Sequence, residues 1–456
     1  MSQYDKMTKT PVEKLIILLS IPTIISMLVT NIYNLVDTAF VGKLGNSASG
    51  AVGIVFGFMA ILQAIGFLFG QGAGSIISRK LGSKDTEAAS QVASTGFFTA
   101  FVLAVIVSAV SFVFLDSIII FLGSTSTIAP YAKTYISFIL ITAPFMVTTF
   151  TLNNILRYEG KAMLGMIGLL SGAVLNIGGD AIFMFGLKME IAGAGLSTAI
   201  SQVVSFSILL SSFIRGKTQT KISVKKIQFK WSMYGEILGT GLPSLLRQGL
   251  NSICTILLNS RAAFYGDTAV AAMSIVSRVF FFIFSISVGV GQGFQPVSGF
   301  NYGAKKFSRI RKAYRFTFIL SEILMLILGT IVFFNAQNFV KIFRDDPTVI
   351  AIATRSLKLH CGAILFLPPC MVTEMLYQST GRKLGAALLS SMRSGLILIP
   401  TLVLLSYFRG LSGIQEAQPL TFVLSLLPTM IFAYTFFKKL PEDENGNSKQ
   451  TSSQNN

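Results

Sequence analysis

The stretch GAVGIVFGFMAILQAIGFLFGQGAGSI, residues 50–76, contains no charged residue and is long enough to cross a lipid bilayer as one helix. An α-helix rises about 1.5 Å per residue, so about 20 apolar residues cross a hydrocarbon core of about 30 Å. Eleven other predominantly apolar stretches are of similar length, at residues 15–38, 92–115, 131–153, 163–186, 191–213, 236–262, 270–298, 313–335, 352–377, 384–406 and 417–437. The sequence therefore predicts twelve membrane-spanning helices.

The composition of the whole chain agrees with this interpretation. Of its 456 residues, 52% are hydrophobic and only 12% are charged, and the mean hydropathy is +0.67. One soluble core could not bury this much apolar surface, so lipid must surround much of it. The predicted fold class is an all-α integral membrane protein, and the predicted location is the cell membrane.

The distribution of basic residues argues against nucleic-acid binding, although the formal net charge is +18. When the 37 Lys and Arg residues are assigned to the loops between the spans, 26 of them, including Arg393, fall on one side of the membrane and nine on the other. The remaining two, Arg247 and Arg278, fall within spans. Because basic loops stay in the cytoplasm, both termini are predicted to be cytoplasmic.

The two parts of the chain repeat each other at one fixed offset, which is the sequence separation between Pro22 and Pro243. At this ungapped offset, identical residues also align at Gly45 and Gly266, Gly70-Gln71-Gly72 and Gly291-Gln292-Gly293, Gly82 and Gly303, Lys84 and Lys305, and Gly160 and Gly381. An internal duplication of six plus six spans is typical of transporters. We expect two six-helix bundles, related by a pseudo-two-fold axis along the membrane normal, with a binding cavity between them.

The duplication also predicts the domain boundaries. The N-terminal bundle covers residues 15–213 and the C-terminal bundle residues 236–437, joined by a basic cytoplasmic linker at 214–235. A cytoplasmic N-terminus, residues 1–14, precedes the first bundle. Residues 438–456 are predicted to form a disordered cytoplasmic tail, because most of them are too hydrophilic to pack.

Two carboxylates fall inside predicted spans of the first half, at similar depth toward the outer side. Asp37 lies in the first span and Asp180 in the fifth; Tyr33 and Asn34 stand about one helical turn before Asp37, and Asn176 one turn before Asp180. A carboxylate is costly to bury in a membrane unless it is functional, and a low dielectric favours its neutral form. This cluster is predicted to bind and release an ion, the alternative being that Asp37 flanks a helix end.

The polar residues within other spans are candidates for a substrate cavity. They are Asn153, Gln71 and Gln292, and, in the second half, Arg247, Gln248, Asn251 and Glu374. Arg247 and Glu374 are expected to pair, although Glu374 could instead extend to the membrane surface. His360 is the only histidine, and Cys254, Cys361 and Cys370 show no CxxC spacing, so packing roles and no metal site are predicted.

No nucleotide-binding or catalytic motif is present, because Gly216-Lys217-Thr218 lacks the preceding glycine of a P-loop. The chain is therefore predicted not to be an enzyme and to need no cofactor. Energy for transport would come from an ion gradient, from a partner, or from the gradient of the substrate itself.

Several motifs together resemble multidrug and toxic compound extrusion (MATE) transporters, and the DinF and MepA-like branch in particular. They are Ile21-Pro22, Leu35-Val36-Asp37-Thr38-Ala39-Phe40-Val41-Gly42, Asn176-Ile177-Gly178-Gly179-Asp180, Ile191-Ala192-Gly193-Ala194-Gly195, Gly291-Gln292-Gly293-Phe294-Gln295-Pro296 and Asn301-Tyr302-Gly303-Ala304. The resemblance implies a V-shaped pair of bundles and export of amphipathic, often cationic compounds in exchange for protons or sodium ions.

The same resemblance implies roles for individual residues. Asp37, Asp180 and Asn176 would carry the coupling ion, and Pro22 would let the first span bend. The acidic residue that some branches place in the seventh span is absent, because Arg247 and Gln248 occupy that region. We expect a monomer whose partners are small-molecule drugs and the lipid bilayer.

Two other functions are compatible with the sequence. A flippase for lipid-linked saccharides would favour a cationic cavity, which Arg247 and Arg278 could supply, but the paired aspartates argue against it. An intramembrane enzyme or a receptor is disfavoured because no credible catalytic set or metal-ligand spacing occurs.

Overall fold

The computed structural model describes residues 2–443, except for the side chain of Asn46. Within these residues the secondary structure is helical and contains no strand. The α-helices are α1 (Gln3–Lys9), α2 (Val12–Gly42), α3 (Asn46–Gly82), α4 (Thr86–Val113), α5 (Leu115–Phe121), α6 (Ala129–Tyr158), α7 (Ala162–Asp180), α8 (Glu190–Ile214), α9 (Trp231–Ala263), α10 (Asp267–Gly303), α11 (Phe307–Phe343), α12 (Pro347–Ala363), α13 (Leu367–Ser379), α14 (Lys383–Ser391) and α15 (Leu398–Lys438).

The predicted twelve spans are all present. Ten helical segments of the described chain are long and apolar enough to cross a membrane, and one of them, Lys383–Lys438, has 56 residues. Gly410 interrupts it with a φ of +58°, so this segment supplies two spans. The more polar helix α9, with 33 residues, supplies the twelfth. The prediction of an all-α membrane protein is confirmed.

The backbone repeats with the sequence. Gly45 and Gly266 have φ angles of +115° and +90°, and Gly160 and Gly381 have φ angles of +78° and +80°. A third pair, Lys84 and Lys305, adopts the same left-handed region at +65° and +56°, where residues other than glycine are uncommon. All three pairs have the sequence separation of the internal repeat, so equivalent turns in the two halves share one geometry.

The chain forms two compact units that differ from the division at the central linker. Within the described residues, one unit contains residues 2–24, 82–84 and 246–443, and the other contains residues 25–81 and 85–245. The chain thus changes unit after Ile24 within α2 and after Leu245 within α9. These two positions are equivalent in the internal repeat, because Ile24 closely follows Pro22 and Leu245 follows Pro243 at the same spacing.

The linker between α8 and α9 is held in place by buried contacts. Glu159, at the end of α6, accepts hydrogen bonds from the main-chain N–H groups of Gln219 at 2.8 Å and Thr220 at 3.2 Å, and from the Thr220 hydroxyl. Burial raises the pKa of Glu159 to about 7, and the hydrogen bonds from Thr220 and Gln219 oppose this shift only in part. The basic linker is therefore an ordered segment of its unit.

The beginning of the C-terminal tail contacts α11. Ser308 donates its main-chain N–H to Asp443 at 2.9 Å, and Arg311 donates to the Leu440 carbonyl at 2.8 Å. Leu440 is buried. The tail is predicted to begin at Lys438, but packing extends beyond it, because Leu440 is buried and the Asp443 carboxylate accepts a hydrogen bond. The remainder of the predicted tail, residues 444–456, lies outside the described residues.

Candidate ion-coupling site

Asp37 and Asp180 meet in the interior of one unit. Asp37 lies near the end of α2 and Asp180 is the last residue of α7, and their side chains are 3% and 0% exposed. The two carboxyl groups interact directly with each other. Two ionised carboxylates in contact repel strongly at low dielectric, and a shared proton or a bound cation would relieve that repulsion.

The donors around this carboxyl pair are fewer than its oxygens. The Tyr135 hydroxyl of α6 donates to Oδ2 of Asp37 at 3.3 Å. Ser197 of α8 lies close to Asp180, but its hydroxyl donates to the Asn176 carbonyl at 2.8 Å. Among the described residues, Oδ1 of Asp37 and both carboxylate oxygens of Asp180 accept no hydrogen bond of normal length. Buried oxygens of this kind need a proton, a cation or water.

A small cavity lies beside Asn176 and Tyr33, each about one helical turn before one of the two aspartates. It has a volume of about 20 Å³ and is lined by Tyr33 of α2, Asn176 of α7 and Thr198 of α8, among others. This volume is enough for about one water molecule. The Asn176 side chain donates to the Thr198 hydroxyl at 3.1 Å and its Oδ1 has no partner among the described residues. Asn34 is half-buried.

Local sequence explains how α7 and α8 bring these groups together. The side chain of a residue at position 179 would lie 2.5 Å from the Ser197 hydroxyl, so Gly179 permits the close approach. A π-helical segment, Ala181–Gly186, follows Asp180 directly. Such segments frequently mark functional sites because the wider turn re-aims side chains.

The other unit contains a buried ionic cluster in which cationic side chains outnumber carboxylates, in contrast to the pair of Asp37 and Asp180. Arg247 of α9 donates to Glu374 of α13 at 2.8 Å, and Arg393 lies 3.8 Å from the second oxygen of the same carboxylate. The three side chains are between 1% and 9% exposed. The predicted Arg247–Glu374 pair is thus present, and two guanidinium groups share one carboxylate.

The remaining predicted cavity residues have mixed environments. Gln71 is fully buried and accepts a hydrogen bond from the Ser244 hydroxyl at 2.7 Å, which ties α3 to α9. Gln292 is buried, Gln248 is half-buried and Asn251 is exposed. The Asn153 amide packs against Gly165 of α7. A Cβ atom added to Gly165 would lie only 2.7 Å from the amide nitrogen, so Asn153 contributes to helix packing. Pro22 is buried within α2.

Three important residues escaped sequence reasoning. Tyr135 gave no signal, because nothing in the sequence connects it to Asp37. The sequence predicts a cytoplasmic loop position for Arg393, which is wrong, because Arg393 is buried in a π-helical segment, Met392–Leu396. Glu322 lies in the middle of α11 and is half-buried; its position inside a predicted span could have revealed it. Arg278, in contrast, is exposed.

His360 has the structural role predicted for it. Its Nδ1 lies 2.8 Å from the Ser356 carbonyl, and its ring contacts Phe280 with a centroid distance of 5.2 Å. The three cysteines are free and buried.

The comparisons with known proteins agree with this architecture. The MatE family model matches residues 22–182 and 243–404, two segments that begin at the equivalent prolines of the internal repeat. The multidrug export protein MepA of Staphylococcus haemolyticus is 28% identical over 93% of this chain and 94% of its own. MepA of Staphylococcus aureus (strain NCTC 8325 / PS 47) is 29% identical over 95% of this chain and 96% of its own.

Solved structures show the same fold. The chain matches an outward-facing multidrug resistance MATE family transporter with a TM-score of 0.91 and 24% identity, covering 96% of this chain and 99% of that one. A MOP superfamily transporter from Pyrococcus furiosus, described by a binding pocket of reverse polarity, matches with the same TM-score, identity and coverage. The family match, together with the membrane spans, defines a membrane transporter and not an enzyme. The chain belongs to the MATE family.

Proposed function

We propose that this transporter exports amphipathic, cationic small molecules in exchange for protons or sodium ions, with Asp37 and Asp180 carrying the coupling ion. Binding and release of that ion would bias alternating access between two states, in the cytoplasmic membrane and with both termini inside. The relatives named multidrug export proteins support this choice of substrates.

The observation that carries the proposal is the contact between two buried carboxyl groups, three of whose four oxygens lack donors among the described residues. A proton or a cation satisfies these oxygens, and a cationic drug would compete for the same charge, because opposite charges attract strongly at low dielectric. Moving one charge across 100 mV yields about 2.3 kcal/mol. Since each tenfold concentration ratio costs about 1.4 kcal/mol, this free energy sustains a substrate gradient of roughly 50-fold.

The test is ethidium efflux from everted vesicles with an imposed pH or sodium gradient, comparing wild type with Asp37→Asn and Asp180→Asn. Both variants should lose gradient-driven efflux. Asp116→Asn is the matched control in the same unit, because Asp116 is an exposed carboxylate paired with Lys133 at 2.5 Å. Gradient-driven efflux that persists in both Asp37→Asn and Asp180→Asn would refute the proposed coupling site.

One observation favours a second candidate, translocation of a lipid-linked saccharide. The Arg247, Glu374 and Arg393 cluster has a net charge of +1 when all three are ionised, and a buried cation needs a counter-charge. A pyrophosphate could supply it. Translocation of a lipid-linked sugar in reconstituted vesicles, without ethidium efflux, would select this function over multidrug export.

A further inference from the structure

A groove separates the end of α11 from the start of α12, and we call it the α11–α12 groove. Its volume is about 780 Å³, and its lining includes Phe333, Lys341, Asp345, Arg355 and Lys358. All of these residues belong to one compact unit. The groove is far larger than the cavity lined by Tyr33 and Asn176 and has the size of a ligand site.

The helix geometry explains the groove. Phe333, Gln337 and Lys341 follow each other at intervals of four residues, so they occupy one face of α11. Asn335 interrupts that helix with φ −107° and ψ 16°, which changes the direction of its last turns. On α12 the lining residues recur at intervals of three and four, from Pro347 to Leu359. Two antiparallel helix ends therefore form the two walls.

The charges in the groove are not balanced. Arg355 donates to the Ser412 hydroxyl at 3.1 Å and lies 3.7 Å from Glu416. Lys341 and Lys358 have no carboxylate within 4.0 Å among residues 2–443, and Lys358 lies over the Phe333 ring at 5.5 Å. Asp345 is the only acidic residue of the lining. Two lysines thus remain available to an anion.

The surroundings of the groove are apolar and exposed. Phe334 and Ile342, on α11 beside the lysines, are 78% and 77% exposed. In a membrane-spanning helix such side chains face lipid, and lysines next to them extend their amines toward the headgroups. The spans predicted from the sequence end at residue 335 and begin at residue 352. The groove therefore lies at the level of the lipid headgroups.

We propose that the α11–α12 groove binds the headgroup of an anionic phospholipid, with Lys341 and Lys358 contacting its phosphate. The lipid phosphate supplies the negative charge that the groove lacks. The acyl chains would pass along exposed apolar residues such as Phe334 and Ile342. Basic residues near the membrane surface attract anionic lipid, and the two helix walls of the open groove place Lys341 and Lys358 on either side of one position.

The test measures thermal unfolding of the full chain in detergent during titration with phosphatidylglycerol. Phosphatidylglycerol should raise the unfolding temperature of wild type, and phosphatidylcholine with the same acyl chains should not. The double variant Lys341→Gln/Lys358→Gln should lose this specific rise, with an affinity weaker by about tenfold or more. The variant Lys341→Arg/Lys358→Arg should retain the rise, because it keeps both charges.

Two controls separate the outcomes. Lys43→Gln/Lys188→Gln removes two exposed lysines from the other unit, and Lys43 also lies over a phenylalanine ring, that of Phe40, at 5.6 Å. This variant should respond to phosphatidylglycerol as wild type does. Glycerol phosphate at matched concentration should have no effect, and an equal effect would identify a soluble phosphate site instead. An unchanged phosphatidylglycerol response in Lys341→Gln/Lys358→Gln would overturn the proposal.

Discussion

The Tyr135 hydroxyl donates a hydrogen bond to Oδ2 of Asp37, with an oxygen–oxygen distance of 3.3 Å. This contact joins α6 to α2, and among the described residues no other hydroxyl or N–H group donates to that carboxylate. A donor of this kind stabilises the ionised carboxylate relative to the neutral acid. Tyr135 is therefore placed to set the pH at which Asp37 exchanges its ion.

Replacing Tyr135 by Phe should move the pH profile of ethidium efflux toward higher pH. The loss of one hydrogen bond, worth about 1 kcal/mol, corresponds to a shift of less than about one pH unit. Efflux in vesicles at a series of pH values measures the shift. Tyr131→Phe, one turn earlier in α6, should leave the profile unchanged; an unshifted profile in Tyr135→Phe would show that the contact does not tune Asp37.

Pro22 and Pro243 should act as equivalent hinges, because the chain changes unit just after each of them. Alanine restores the helical hydrogen bond that proline removes and should stiffen both helices. We expect Pro22→Ala and Pro243→Ala each to lower the maximal rate of efflux without changing the ethidium Kd.

Pro130→Ala is the control for the hinges, since Pro130 occupies the first turn of α6, where proline is well tolerated. A normal efflux rate in both Pro22→Ala and Pro243→Ala would show that transport does not require α2 or α9 to bend at these prolines.

Glu374→Gln should destabilise the unit that contains it by about 3–5 kcal/mol, because two buried guanidinium groups lose their carboxylate. Unfolding in detergent measures the change. Glu13→Gln is the comparison, because Glu13 pairs with Lys312 at 3.0 Å, with side chains 35% and 65% exposed, and pairs open to solvent contribute little. Equal stability of Glu374→Gln and wild type would contradict the view that this carboxylate compensates the two buried guanidinium groups.

Glu159 should make stability depend on pH. Its pKa rises from 4.5 to about 7 because of burial, so between these values the folded protein keeps a proton that the unfolded chain has lost. The free energy of unfolding should therefore fall as pH rises through this interval. Glu159→Gln should flatten the slope, as measured by unfolding temperatures between pH 5 and pH 8.

A suitable comparison for Glu159 is Glu87→Gln, because Glu87 pairs with Lys226 of the same linker on the exposed surface. It should keep the slope of wild type. A slope that survives in Glu159→Gln would assign the pH dependence to another group.

The sequence predicted the main elements of the candidate site because membrane depth can be counted along a helix. Asp37 and Asp180 were placed at similar depth from their distances to the nearest loops, and they do meet. Helical spacing likewise placed Tyr33 and Asn176 near them. The duplication was visible because prolines and loop glycines align at one offset, and the left-handed turns confirm it.

Other features depend on tertiary contacts that no local pattern reveals. Tyr135 reaches Asp37 from a helix 98 positions away in the chain. Arg393 was assigned to a loop because basic residues usually mark loops, yet Glu374 compensates its burial. The sequence also does not predict that α2 and α9 are each divided between the two compact units. Hydropathy indicates where a span lies and not which unit it packs against.

The central claim is that the buried pair of Asp37 and Asp180 exchanges a coupling ion for a cationic drug. The most direct measurement is proton release when ethidium binds to the purified transporter in weakly buffered detergent solution. For proton coupling, wild type should release about one proton per bound ethidium, since a contacting carboxyl pair shares a proton, and the double variant Asp37→Asn/Asp180→Asn should release none. In the sodium case, ethidium should instead displace sodium from wild type and not from that variant. Proton or sodium release that is the same in the double variant as in wild type would contradict the account.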